Sequence, residues 1–136
     1  MAKTGIEASL IVCESVLWEK SGLPSAIRIM DTLVIGASGI AHFFSLTSLH
    51  AAMPVDNSIH ALVVQAMDPQ GRIIAAGAPY AFKWTNGPDQ SFAGFRLATE
   101  FEFNLDFNTP LGSYVVQAFV DGESVAGVPL TLRRRQ

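Results

Sequence analysis

The sequence predicts an all-β protein, an antiparallel β-sandwich, and three observations carry that expectation. Short runs rich in β-branched and aromatic residues recur between Gly, Pro, Asn and Asp punctuation. One of them, Phe95 to Leu105, alternates cleanly between apolar and polar side chains. No segment carries a convincing 3.6-residue period.

Composition bounds the rest. The chain has 136 residues, so residues 1–136 are read as one domain with one core. Hydrophobic residues make up 49% and charged residues 15%, which excludes disorder and implies an apolar surplus at the surface. Self-association is the simplest cover for such a surplus, so the expected partner is a second copy or another protein. Net charge is −3, and the one basic run is Arg133-Arg134-Arg135, so nucleic-acid binding is not expected. The apolar run Leu10-Ile11-Val12-Cys13 lies between Glu7 and Glu14 and is too short for a signal-peptide core or a membrane span. A cytoplasmic location without membrane contact is therefore expected, and the single cysteine, Cys13, agrees with a reducing compartment.

The strands follow in order. Ile6, Ala8, Leu10 and Val12 share one side of a first strand, Ile6 to Leu17. After Ser21-Gly22-Leu23-Pro24, the β-branched run Ala26 to Ile35 reads as one strand ending at Gly36. His42 to His50 is a strand of weak alternation, and Ile59 to Met67 is apolar on both sides. Asp68-Pro69-Gln70-Gly71 is a type I turn signal joining that strand to Ile73–Ala76 as a hairpin. Tyr80 to Trp84 and Phe95 to Leu105 follow, and Asp121-Gly122 joins Tyr114–Val120 to Ser124–Leu132. Pro129 marks the last strand as an edge. The total, about seven or eight strands, favours a sandwich, immunoglobulin-like in style, over a closed barrel. Tyr114, after Leu111-Gly112-Ser113, is a candidate tyrosine corner.

Several of these features together resemble an uncharacterised family of small bacterial β-sandwich proteins: Cys13-Glu14-Ser15, Ser25 to Asp31, the Asp68 to Gly71 turn, and a closing hairpin. That hairpin reads Gly112-Ser113-Tyr114, Phe119-Val120-Asp121-Gly122 and Val128-Pro129-Leu130-Thr131-Leu132. The resemblance spans nearly the whole chain and implies a fold. It implies no catalytic residue and no cofactor.

Candidate chemistry is sparse. A hairpin near Val55 would set His50 opposite His60, but zinc wants three or four protein ligands, and only Cys13 or Asp56 could add to the pair, so no metal site is assigned. Cys13 has apolar neighbours and Glu14, a poor setting for an activated thiolate. Glu100 and Glu102 share a strand face, more in keeping with a solvated surface than with a catalytic pair. Asp31 interrupts the apolar side formed by Ile27, Ile29, Leu33 and Ile35, so it should cap backbone amides, pair with Arg28 or Arg96, or line a pocket. Trp18, Tyr80, Phe82 and Trp84 are either core or an aromatic face for a small ligand or a carbohydrate. The sequence thus predicts a non-enzymatic interaction or scaffolding sandwich without catalytic residues, cofactor or metal. A ligand-binding module on the Tyr80-Phe82-Trp84 face, with Trp18, is the alternative.

Overall fold

The computed structural model describes residues 6–51, 58–83, 94–105 and 111–135. They form ten strands: β1 (Ile6–Trp18), β2 (Pro24–Ile29), β3 (Thr32–Ile35), β4 (Ile40–Ala51), β5 (His60–Met67), β6 (Ile73–Ala76), β7 (Tyr80–Phe82), β8 (Gly94–Asn104), β9 (Gly112–Val120) and β10 (Glu123–Arg134). A four-stranded sheet runs β2-β1-β4-β8, and a six-stranded sheet runs β3-β10-β9-β5-β6 with β7 also on β5. All pairings are antiparallel except β3 with β10.

Alternation decides which side chains fill the space between the sheets. On β1, Ile6, Leu10 and Val12 are buried, and on β4 the inward set is Ala41, Phe43, Ser45, Thr47 and Leu49. The facing sheet supplies Leu62, Val64 and Ala66 from β5, Tyr114, Val116, Ala118 and Val120 from β9, and Leu130 and Leu132 from β10. Phe43 stacks on Phe101 with ring centroids 5.1 Å apart. Each fully buried Val, Leu, Ile or Phe side chain among them contributes about 1.5–3 kcal/mol by leaving water. At the sandwich edge, an added Cβ on Gly77 would stand 2.9 Å from Thr99 Cγ2, so glycine lets the segment that follows β6 approach β8.

The run read as a single strand, Ala26 to Ile35, is two strands in different sheets. Met30 N–H still donates to Val12 C=O at 2.9 Å, whereas Asp31 C=O accepts from Thr131 N–H at 2.8 Å, so the chain changes sheets between these neighbours. Arg28 takes a left-handed φ of 56° just before the change. The split helps to raise the strand number among the described residues to ten, above the expected seven or eight.

The two turn signals act as expected. Gly71 N–H donates to Asp68 C=O at 2.9 Å and Gly71 has φ 82°, a type I turn followed by a left-handed residue. Asp121 and Gly122 have φ 51° and 84°, the two positive values that a type I′ hairpin requires. β10 is not an edge strand along its whole length, because β3 pairs with Thr131 to Arg134; Pro129 lies in the stretch that β3 leaves unpaired.

Candidate functional site

Strand pairing places the residues that face away from the core into rows across the four-stranded sheet. One row is Ile29 (β2), Cys13 (β1), Phe44 (β4) and Glu100 (β8). The next is Ile11, Leu46 and Ala98. Beside Cys13, Ser15 stands opposite Ile27. These rows form an apolar band on the side of the sheet that a sandwich ordinarily gives to water. Within the band Leu46 is 8% exposed and Cys13 fully buried, although neither belongs to the core cluster between the sheets. Ile27 and Ile29 are 41% and 64% exposed.

Polar rows close the band at both ends. On one side lie Ser9, Ser48 and Arg96, then Glu7 and His50. On the other, His42 stands opposite Glu102, and its Nε2 meets Glu100 Oε2 at 2.6 Å. The His42 ring also meets the Phe44 ring edge-on, with centroids 5.5 Å apart. An apolar centre inside a polar rim is the anatomy of a protein interface.

Burial pushes the Cys13 thiol above its ordinary pKa, against the opposing hydrogen bond with the Ile27 backbone. A thiol kept protonated is a poor nucleophile and a poor metal ligand.

The other candidates are dispersed. His50 pairs with Glu7 and Gly94 in the four-stranded sheet, while His60 sits on β5 in the six-stranded sheet opposite Phe82. The expected His50–His60 juxtaposition is therefore corrected: β4 and β5 belong to different sheets and are not a hairpin. His60 Nδ1 instead meets Asp121 Oδ2 at 2.6 Å. Asp56 lies outside the described residues. Among those residues no three His, Cys, Asp or Glu side chains gather in a metal-holding group.

Asp31 is also corrected. It is exposed at the change of sheets, its Oδ1 accepting from Thr32 Oγ1 at 3.2 Å, and Arg28 pairs with Glu14 at 3.1 Å. The apolar side that Asp31 was expected to interrupt does not exist, because Ile27 and Ile29 face outward on one sheet while Ile35 is buried against the other.

The aromatic residues do not share one surface. Trp18 is half exposed at the end of β1, opposite Pro24 in the four-stranded sheet. Tyr80, on β7 of the six-stranded sheet, is 40% exposed, and Phe82 belongs to the core with its ring centroid 5.5 Å from that of His60. Trp84 lies outside the described residues.

A polar cluster that the sequence showed only as a turn is buried at the β5–β6 hairpin. The Asp68 side chain is fully enclosed, its Oδ1 accepting from the Gln70 and Arg72 amides and its Oδ2 from Arg72 Nε. Burial alone would raise the Asp68 pKa, but the Arg72 and Gln70 hydrogen bonds and the Arg72 charge outweigh it and hold the carboxyl below its ordinary value. Tyr114, buried and stacked on Phe103, has its phenol pKa raised by burial and by the Asp68 charge, with Arg72 opposing.

Around Arg134 are two open cavities of about 470 and 320 Å3, the first lined by Leu111, Gly112, Thr131 and Arg133, the second by Ile35, Gly36, Ala37 and Arg135. They form open troughs at the end of β10 rather than an enclosed site.

This geometry defines a two-sheet, predominantly antiparallel β-sandwich with an apolar outer sheet face. No protein-family model matches the chain, and no curated protein matches it. Among solved structures, it resembles the alkylpurine DNA glycosylase AlkC of Pseudomonas fluorescens, bound to DNA containing an abasic site analog, with TM-score 0.55 and 16% identity. That match covers 97% of this chain and 31% of the glycosylase, so the chain corresponds to under a third of that protein, and the likeness is one of fold. An immunoglobulin-like protein from Pseudomonas aeruginosa matches with TM-score 0.46 and 14% identity over 98% of this chain and all of its own. Among the described residues no helix is long and apolar enough to cross a membrane.

Proposed function

We propose that this chain is a non-enzymatic β-sandwich whose work is protein contact, made through the outer face of its four-stranded sheet, and that it associates with itself. The observation that carries the reading is the band formed by Ile29, Cys13 and Phe44 and by Ile11, Leu46 and Ala98, set between polar rows. Ile27 and Ile29, on the β2 side of the band, keep 41% and 64% of their surface exposed, and removing that apolar area from water contributes to association. The low charge content of the chain supports the same reading. The buried thiol of Cys13 supports a non-catalytic role for the chain's single cysteine. The small-ligand alternative loses support, since Phe82 is part of the core and Trp18 lies on the other sheet.

On its turn and hairpin motifs we further infer membership of the small bacterial β-sandwich family; the single cysteine, Cys13, supports residence in a reducing compartment, the cytoplasm.

Size-exclusion chromatography with light scattering tests the contact face. The expected result is a particle above the monomer mass that Ala98→Glu, placing a charge in the middle of the band, converts to monomer while circular dichroism remains that of a β protein. An oligomer indifferent to Ala98→Glu overturns the assignment of the face. A monomer at every concentration overturns self-association.

A further inference from the structure

The charges that border the apolar band are self-complementary. On the outer face of β8, Arg96 and Glu100 stand two residues to either side of Ala98. Arg96 is exposed and makes no ion pair among the described residues. Glu100 contacts His42 and keeps 59% of its side chain exposed. Resting on the protein-contact reading above, we propose that the occupant of this face is a second copy of this chain, docked face to face about a two-fold axis running across the strands along the Ile11–Leu46–Ala98 row.

Such an axis reverses strand direction between copies. Each β8 residue then faces the partner's β8 residue equally far on the other side of Ala98. Arg96 meets the partner's Glu100, and Glu100 meets the partner's Arg96, so one geometric condition forms two ion pairs, as an isologous interface requires. The same operation sets Phe44 against the partner's Ser48 and His42 against the partner's His50. Ala98 lies on the axis, where its small side chain lets the sheets approach. Face-packed sheets cross at about 30°, an offset that a long arginine and a glutamate side chain can span.

The competing two-fold, along β4, fails on charge. It sets Glu100 over the partner's Cys13 and Arg96 over the partner's Ser9, leaving Arg96 without an opposite charge and Glu100 with its own His42 alone in a drying interface. Charge complementarity thus selects both the occupant and its orientation.

The test is a charge exchange. Dimer dissociation constants are measured by light scattering or analytical ultracentrifugation for the natural chain, Arg96→Glu, Glu100→Arg and the double variant. All four are checked by circular dichroism. Each single change sets like charges against each other at both contacts and should weaken the dimer by about tenfold or more, whereas the double variant restores the pairs and should return to within a few-fold of the natural chain. A dimer broken by Ala98→Glu but indifferent to the charge changes, or not rescued in the double variant, overturns this two-fold and leaves the contact face in place. A dimer indifferent to Ala98→Glu as well overturns both. A natural chain that stays monomeric overturns the second copy as occupant.

Discussion

Arg72 Nε donates to Asp68 Oδ2 at 2.7 Å while the Arg72 amide donates to Asp68 Oδ1 at 2.9 Å, so one residue holds both oxygens of a fully enclosed carboxylate. The hairpin turn between β5 and β6 is closed by this pair. Further along the same loop, the Asp68 N–H donates to the Arg72 C=O at 2.9 Å. A carboxylate buried in this way is stable only while it is ionised and its donors are in place.

Acid should therefore weaken the fold at this point. Because the folded pKa of Asp68 is depressed, its contribution is present above the ordinary carboxylate range and is lost as pH falls through the lower folded value. Asp68→Asn should lower Tm by several degrees at neutral pH and make Tm less sensitive to acid. Thermal melts from neutral pH into strong acid check both; equal acid sensitivity in the two proteins contradicts the assignment.

At the alkaline end the same cluster acts through Tyr114. Its folded pKa is raised, so the stabilisation is present below the ordinary phenol range and is lost as pH climbs through the folded value. In a Tyr80→Phe protein, where Tyr114 is the one remaining tyrosine, phenolate absorbance should appear later than in free tyrosine and together with unfolding. A normal titration in the folded protein would show that the ring is not enclosed.

Cys13 and Phe44 stand directly opposite on β1 and β4, on the outer face. The thiol should react slowly with a thiol reagent in the native protein and fast in denaturant. Phe44→Ala should raise the native rate about tenfold or more by uncovering the sulfur. A rate unchanged by that substitution would mean that another group encloses Cys13.

Thr47 points its hydroxyl into the core. Thr47 Oγ1 is buried with no hydrogen-bond partner among the described residues, and on β4 Thr47 lies between Leu10 and Leu97. Thr47→Val replaces the orphan hydroxyl with a methyl and should stabilise the fold by on the order of 1 kcal/mol. Chemical denaturation measures the change, and a loss of stability would reveal a partner for the hydroxyl.

Local pattern carried much of the architecture. The alternation of Ile6, Ala8, Leu10 and Val12 identified β1, that of Leu97, Phe101 and Phe103 identified β8, and Asp121-Gly122 located the last hairpin, because side-chain period and positive-φ turns depend on neighbours in sequence. The continuous apolar run from Ala26 to Ile35 hid a change of sheets, since a β-branched residue has the same propensity whichever sheet it joins. His50 and His60 were misplaced for a related reason: closeness in sequence does not determine whether consecutive strands pair.

The outer face was the least legible part. Sequence by itself determined that Ile11 and Cys13 share one side of β1, that Phe44 and Leu46 share one side of β4, and that Arg96, Ala98 and Glu100 share one side of β8. Only the tertiary structure decided that these three sides are one surface turned away from the core, because that depends on the order and register in which β1, β4 and β8 hydrogen-bond, and each such bond joins residues far apart in the chain.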